Sequence, residues 1–144
     1  MATCIQSCFP ARPMWRPSSK MPDDQQHGPT AMVSRNAAEH YAWGEGCDGW
    51  YLVQADDLSV IGEQMPPASK ETRHHHRVSR QFFYVLAGVL TMEVENHVYA
   101  LQGGEGIEVH PGQKHRATNV GQSDLRLLVV SHPPSHDDRV NDKP

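Results

Sequence analysis

Thr72-Arg-His-His-His-Arg-Val-Ser-Arg-Gln-Phe-Phe-Tyr-Val-Leu-Ala-Gly88 is the stretch that decides the fold. His74 and His76 lie two apart, which on a β-strand puts both imidazoles on one face and His75 on the other. Gln81 then heads a β-rich run ending at Ala87-Gly88. In that run Gln81, Phe83 and Val85 share one face, while Phe82, Tyr84 and Leu86 share the other. A strand apolar on both faces needs a second covering layer: an opposing sheet, the aromatic segment nearer the N-terminus, or another subunit. After Pro111-Gly112, His115 opens another strand-like segment. Neutral imidazoles converging from separate strands with an amide oxygen can bind a divalent transition metal. The His74-His75-His76 triplet alone reads as a solvated surface cluster. Its flanks change that reading.

Working outward, Leu58 to Ile61 reads as a strand stopped by Pro66-Pro67, and Lys70 to His76 as the next. Val89 to Glu95 turns at Asn96-His97 into Val98 to Leu101. Gly103 to Gly106 makes a sharp loop, after which Ile107 and Val109 alternate with Glu108 and His110. Leu125, Leu127 and Val129 alternate with Arg126, Leu128 and Val130 in a last long strand. Short strands at regular spacing without a helix pattern predict an all-β sandwich or barrel.

Two spacings now acquire meaning. His74-x-His76, four residues, Gln81, six residues and Gly88 resemble the first motif of the cupin superfamily, with Gln where Glu is expected. Gly104, Gly112, His115 and Asn119 fall in register with its second motif, His110 standing where a proline is expected. The resemblance covers roughly residues 33 to 132. It implies a double-stranded β-helix jelly roll and one divalent transition metal (Zn, Ni, Fe or Mn) on His74, His76, Gln81 and His115. His40-Tyr41-Ala42-Trp43, Cys47-Asp48-Gly49-Trp50 and the ending from Ser131 to Val140 resemble a set of small uncharacterised bacterial cupins.

Composition bounds the alternatives. At 144 residues the chain is one domain's worth, and a net charge of −4 gives no basic footprint for nucleic acid. No apolar run approaches a membrane span. Three cysteines, Cys4, Cys8 and Cys47, make a poor disulfide framework and fit a reducing cytoplasm. Residues 1 to about 31, with five prolines and no apolar period, predict a disordered tail before a barrel domain over 32–144. A weakly indicated transit peptide and a translation start at Met32 are the alternatives for that segment. Trp43 and Trp50 read as packing at a barrel end or a dimer contact. The doubly apolar strand and the Tyr41 to Val53 segment together predict a homodimer.

Gln81 carries the mechanistic content. A neutral ligand set leaves a divalent ion its full charge, which favours Lewis-acid polarisation of a carbonyl or hydroxyl over redox chemistry. A similar three-His, one-Gln arrangement occurs in small cupins that ketonise unsaturated uronates. The expected ligand is therefore a small, oxygen-rich or anionic molecule, and the expected activity an isomerase or tautomerase. An Fe(II) dioxygenase and a non-enzymatic metal- or sugar-binding module are the alternatives. Glu108 and His110, two apart near the pocket mouth, are the candidate acid–base residues, an exposed loop position being the alternative for His110. Tyr84 faces away from Gln81. Arg139 is placed either to reach an anionic ligand or to pair with Asp137 or Asp138.

Overall fold

The computed structural model describes residues 30–143. The separate tail expected over residues 1–31 therefore lies, but for its last two residues, outside the described ones, as do Cys4 and Cys8. The strands are β1 (Glu39–Trp43), β2 (Cys47–Gln54), β3 (Ser59–Met65), β4 (His74–His76), β5 (Arg80–Ala87), β6 (Val89–Val94), β7 (His97–Gln102), β8 (Gly106–Val109), β9 (His115–Thr118), β10 (Leu125–His132) and β11 (Arg139–Asn141). They form a six-stranded sheet, ordered β1-β2-β3-β10-β5-β8, and a five-stranded sheet, ordered β11-β4-β9-β6-β7. All pairings are antiparallel. Two antiparallel sheets whose inner faces share one core make the expected jelly roll, and no helix occurs among the described residues.

Alternation decides what each strand offers that core. On β5, Gln81, Phe83 and Val85 are buried while Phe82, Tyr84 and Leu86 stay outside. β10 repeats the pattern with Leu125, Leu127 and Val129 inward. Leu90, Met92 and Val94 from β6 meet them from the opposing sheet, with Leu101 and Ala117, and Val109 joins them from β8 beside β5. Each such side chain contributes about 1.5–3 kcal/mol of burial. The opposing sheet thus covers the inner face of β5. Its outer face remains open, with Phe82 41% and Leu86 46% exposed.

Gly88 closes the β5–β6 turn at φ +83, and a Cβ there would stand 2.8 Å from the Asp124 carbonyl oxygen. The glycine of the first motif is thus fixed by backbone conformation and by contact.

Three boundaries differ from the sequence expectation. β3 runs on to Met65, because it pairs along its length with both β2 and β10. The strand expected over Lys70 to His76 shortens to His74–His76. Lys70 makes only an isolated bridge to Thr118, and regular pairing with β9 resumes at His74↔His115. β11 was not foreseen; it adds to the free edge of β4 with Arg139 opposite His76.

Candidate metal centre

Three histidines converge between the sheets. His74 and His76 share the buried face of β4, with His75 on the other, and His115 pairs directly with His74 across the β4–β9 ladder. Ring centroids stand 4.3 Å apart for His74 and His115, 5.0 Å for His74 and His76, and 5.8 Å for His76 and His115. One ring nitrogen from each lies within 4.8 Å of the others, spacing at which three imidazoles can share one ion. Gln81 reaches the cluster from the six-stranded sheet, its Oε1 3.1 Å from His115 Nε2.

Backbone carbonyls set the rings. His74 Nδ1 donates to the Thr72 oxygen at 2.8 Å, and His115 Nδ1 to the Gln113 oxygen at 3.0 Å. Each bond fixes a tautomer whose Nε2 carries a lone pair, the usual preparation of a metal-binding imidazole. Burial, with His115 and then Arg139 nearby, pushes His74 down to about 3. Burial and His115 push His76 down to about 4, and burial holds His115 low as well. All three are neutral donors at pH 7. His76 Nδ1 is buried without a hydrogen-bond partner among the described residues.

The donor set fits a cation on one further count. Gln81 Nε2 donates to Ser131 Oγ at 3.1 Å, which turns Oε1 toward His115. With His115 Nδ1–H already engaged, its Nε2 and Gln81 Oε1 face each other as two acceptors. A positive ion between them relieves that opposition. Half a turn of the amide is the alternative relief, since nitrogen would then face His115 and oxygen the Ser131 hydroxyl.

His74, His76 and Gln81 open on a cavity of about 230 Å³, also lined by Tyr41, Trp43, Glu63, Glu71, His136 and Arg139, while His115 is fully buried. Burial and the neighbouring Glu71 push Glu63 up to about 8. Burial raises Glu71 too, and Arg139, whose Nη1 lies 3.7 Å from Glu71 Oε1, opposes the rise. Arg139 is anchored by the Thr72 oxygen and Asn141 Oδ1 at 3.2 and 2.8 Å, so it partners neither Asp137 nor Asp138. Asp138 instead accepts the backbone N–H groups of Arg77, Val78 and Ser79 at 3.1, 2.8 and 2.7 Å. That clasp holds the loop carrying the chain from His76 in one sheet to Gln81 in the other.

Glu108 and His110 are not brought to the cavity. Val109 between them faces the core opposite Gln81, so both point outward. Glu108 lies 3.5 Å from Arg80, and the Glu108 and His110 side chains are 45% and 60% exposed. Asn119 does local work, bonding the Met65 and Ser123 carbonyls and the Gly121 N–H. Tyr41, Glu63 and Glu71 were missed because no local pattern joins residues from three separate segments. The only signal was Glu63, an acidic residue in register with the inward Ile61 and Met65 of β3.

A family model described as a cupin domain matches residues 63–131. The fold is a cupin jelly roll. Uncharacterized protein MJ1618 of Methanocaldococcus jannaschii is 33% identical to this cupin over 75 residues, covering 51% of the chain and 60% of that protein. Matched stretches span 45% to 60% of the related sequences. KdgF from Halomonas sp. superposes with a TM-score of 0.69 at 17% identity, over 76% of this chain and 98% of that one. The polyketide cyclase RemF from Streptomyces resistomycificus gives 0.70 at 18%, over 80% and 87%. At such identities the likeness is one of fold.

Proposed function

We propose that this cupin is a metal-dependent isomerase or tautomerase acting beside a carbonyl on a small oxygen-rich molecule, a carbohydrate derivative such as a uronate or keto-sugar. The observation that carries the reading is a neutral donor set, His74, His76, His115 and Gln81, of which His74, His76 and Gln81 line a cavity that two carboxyls also line. A divalent ion (Zn, Ni, Fe or Mn) on those donors supplies Lewis-acid polarisation of a carbonyl or hydroxyl oxygen, with little of its charge cancelled by the ligands. Around it the chain's own residues orient the substrate and handle protons. Arg139 is anchored to offer charge to an oxygen substituent. Phe83, Ile61 and Val129 line the same space and keep water from part of it.

The test uses purified full chain, metal analysis and a panel of unsaturated uronates and keto-sugars. Gln81→Glu is expected to bind metal more tightly, because a carboxylate replaces an amide oxygen. It is also expected to lower turnover roughly tenfold or more, because the ion then polarises substrate less. Higher activity in Gln81→Glu, or activity that consumes oxygen, sinks the reading in favour of a dioxygenase. Bound metal without any turnover leaves a binding module. We propose further that the chain is a homodimer, a reading supported by the open apolar face of β5.

A further inference from the structure

Across β1, β2 and β3 three residues stand in one cross-strand row. Tyr41 pairs with Gly49, and Gly49 pairs with Glu63. The middle position has no side chain, and the Tyr41 ring lies over it: a Cβ on Gly49 would sit 2.3 Å from Tyr41 Cζ and 2.6 Å from its hydroxyl oxygen. The phenol therefore crosses the gap and brings its hydroxyl to 3.5 Å from Glu63 Oε1. Both residues line the cavity onto which His74 and His76 open. This gives Gly49, within Cys47-Asp48-Gly49-Trp50, a steric task.

The groups facing Glu63 are unequal. Arg139 lies against Glu71, leaving Glu63 with a phenol as its hydrogen-bond partner. His74, His76 and His136, which also line the cavity, are the other titratable groups there. Trp43, on the same lining, has its indole Nε1 buried without a partner among the described residues, a donor that a ligand oxygen would satisfy. When two carboxyls share a site and a cation touches one but acts on the other only from farther away, their proton affinities part. The less compensated one holds its proton more tightly.

We infer that Glu63, positioned by the Tyr41 ring lying over Gly49, is the proton donor to a ligand seated against the three histidines. This rests on the tautomerase reading. In the ketonising direction the Glu63 O–H bond breaks and its proton moves to the substrate carbon. The new C–H bond takes the electron pair of the substrate's C=C bond. The enol O–H pair becomes the second bond of C=O as that proton leaves to solvent, and solvent reprotonates the Glu63 carboxylate. No oxidant or co-reactant enters.

Infrared spectroscopy of the zinc-loaded full chain at pH 7 tests this without turnover. A carboxylic-acid C=O band is expected in the wild type, absent from Glu63→Gln, and shifted in Tyr41→Phe and Gly49→Ala. Oxalate, a planar mimic of an enediolate, is expected to shift it on binding, with zinc content unchanged in all variants. For any panel substrate that turns over, Glu63→Gln is expected to lose at least roughly 100-fold in kcat. Absence of a Glu63-dependent band, a band indifferent to oxalate, or kcat kept within threefold in Glu63→Gln overturns the inference. Failure of the tautomerase reading looks different: the band responds as described while no panel substrate turns over in the wild type. Should Glu63→Gln not fold, the band shifts in Tyr41→Phe and Gly49→Ala decide alone.

Discussion

The histidines at one end of the cavity, on β4, and Glu63 at the other, on β3 of the facing sheet, are held uncharged by opposite means. At the histidine end, burial strips protons from bases, pushing His74 down to about 3 and His76 to about 4. At the carboxyl end, burial keeps a proton on an acid, pushing Glu63 up to about 8. Desolvation disfavours whichever form is charged, so one physical cause yields lone pairs at one end and a proton at the other. The contrast teaches that this interior is prepared to receive charge, first from a cation and then from a substrate. Removing donors breaks it at the first end.

The largest effect expected is therefore on metal content. His76→Ala or His115→Ala should lower affinity for zinc by at least about 100-fold, since each removes one imidazole from a small donor set. His75→Ala should leave it unchanged, because that ring faces away. Titration with zinc and circular dichroism on the same samples separate lost ligation from lost fold. Retained metal in His115→Ala would show that the cluster is not the binding site.

Next in size is the pH dependence of the metal-free protein. Unfolded histidines take protons near 6.5, but His74 and His76 in the fold do not until about 4 or below. The unfolded chain thus binds more protons below pH 6.5, and stability falls as pH drops from there. Glu63 works in reverse. Folded, it keeps a proton up to about 8 that it loses near 4.5 when unfolded, so stability falls as pH rises through that window. Urea unfolding of chelator-treated wild type and Glu63→Gln at pH 5 and 9 measures the second limb alone. The variant should gain on the wild type by roughly 1–3 kcal/mol between those points, allowing for solvent screening. Parallel pH profiles would mean that Glu63 is ionised in the fold.

How much of this was legible depends on how local each signal was. His74 and His76 declare themselves by a spacing of two, and Gln81, Gly88 and His115 by motif register. Their geometry follows from strand alternation and one ladder. The carboxyl end had no such signal, because Tyr41, Glu63, Glu71 and Arg139 meet only through tertiary pairing. Arg139 arrives on β11, the three residues Arg139-Val140-Asn141, too short to show a hydrophobic period that would mark a strand. Glu108 and His110 were a different matter. Ile107 and Val109 already claimed the inward positions, so alternation alone sent their neighbours to solvent.

A second contrast, between the filled inside of β5 and its bare outside, predicts smaller effects. Sedimentation of the full chain at micromolar concentration should give twice the chain mass. Phe82→Glu combined with Leu86→Glu should weaken the dimer at least roughly tenfold, because two charges would enter an apolar contact. A monomer in the wild type ends that proposal. Smallest of all is the effect of deleting residues 1–31, which is expected to leave the melting temperature unchanged; a drop of several degrees would mean that the segment packs.

The Asp138 clasp has a consequence for selectivity. Its carboxylate gathers three successive backbone N–H groups of the loop between His76 and Gln81. The span between donors contributed by the two sheets is thus set by a residue that is itself no donor. Lengthening or loosening that single fastening, as in Asp138→Asn or Asp138→Ala, alters the bite offered to the ion while every ligand stays in place. Ionic radius then becomes a property that can be tuned from the protein's surface.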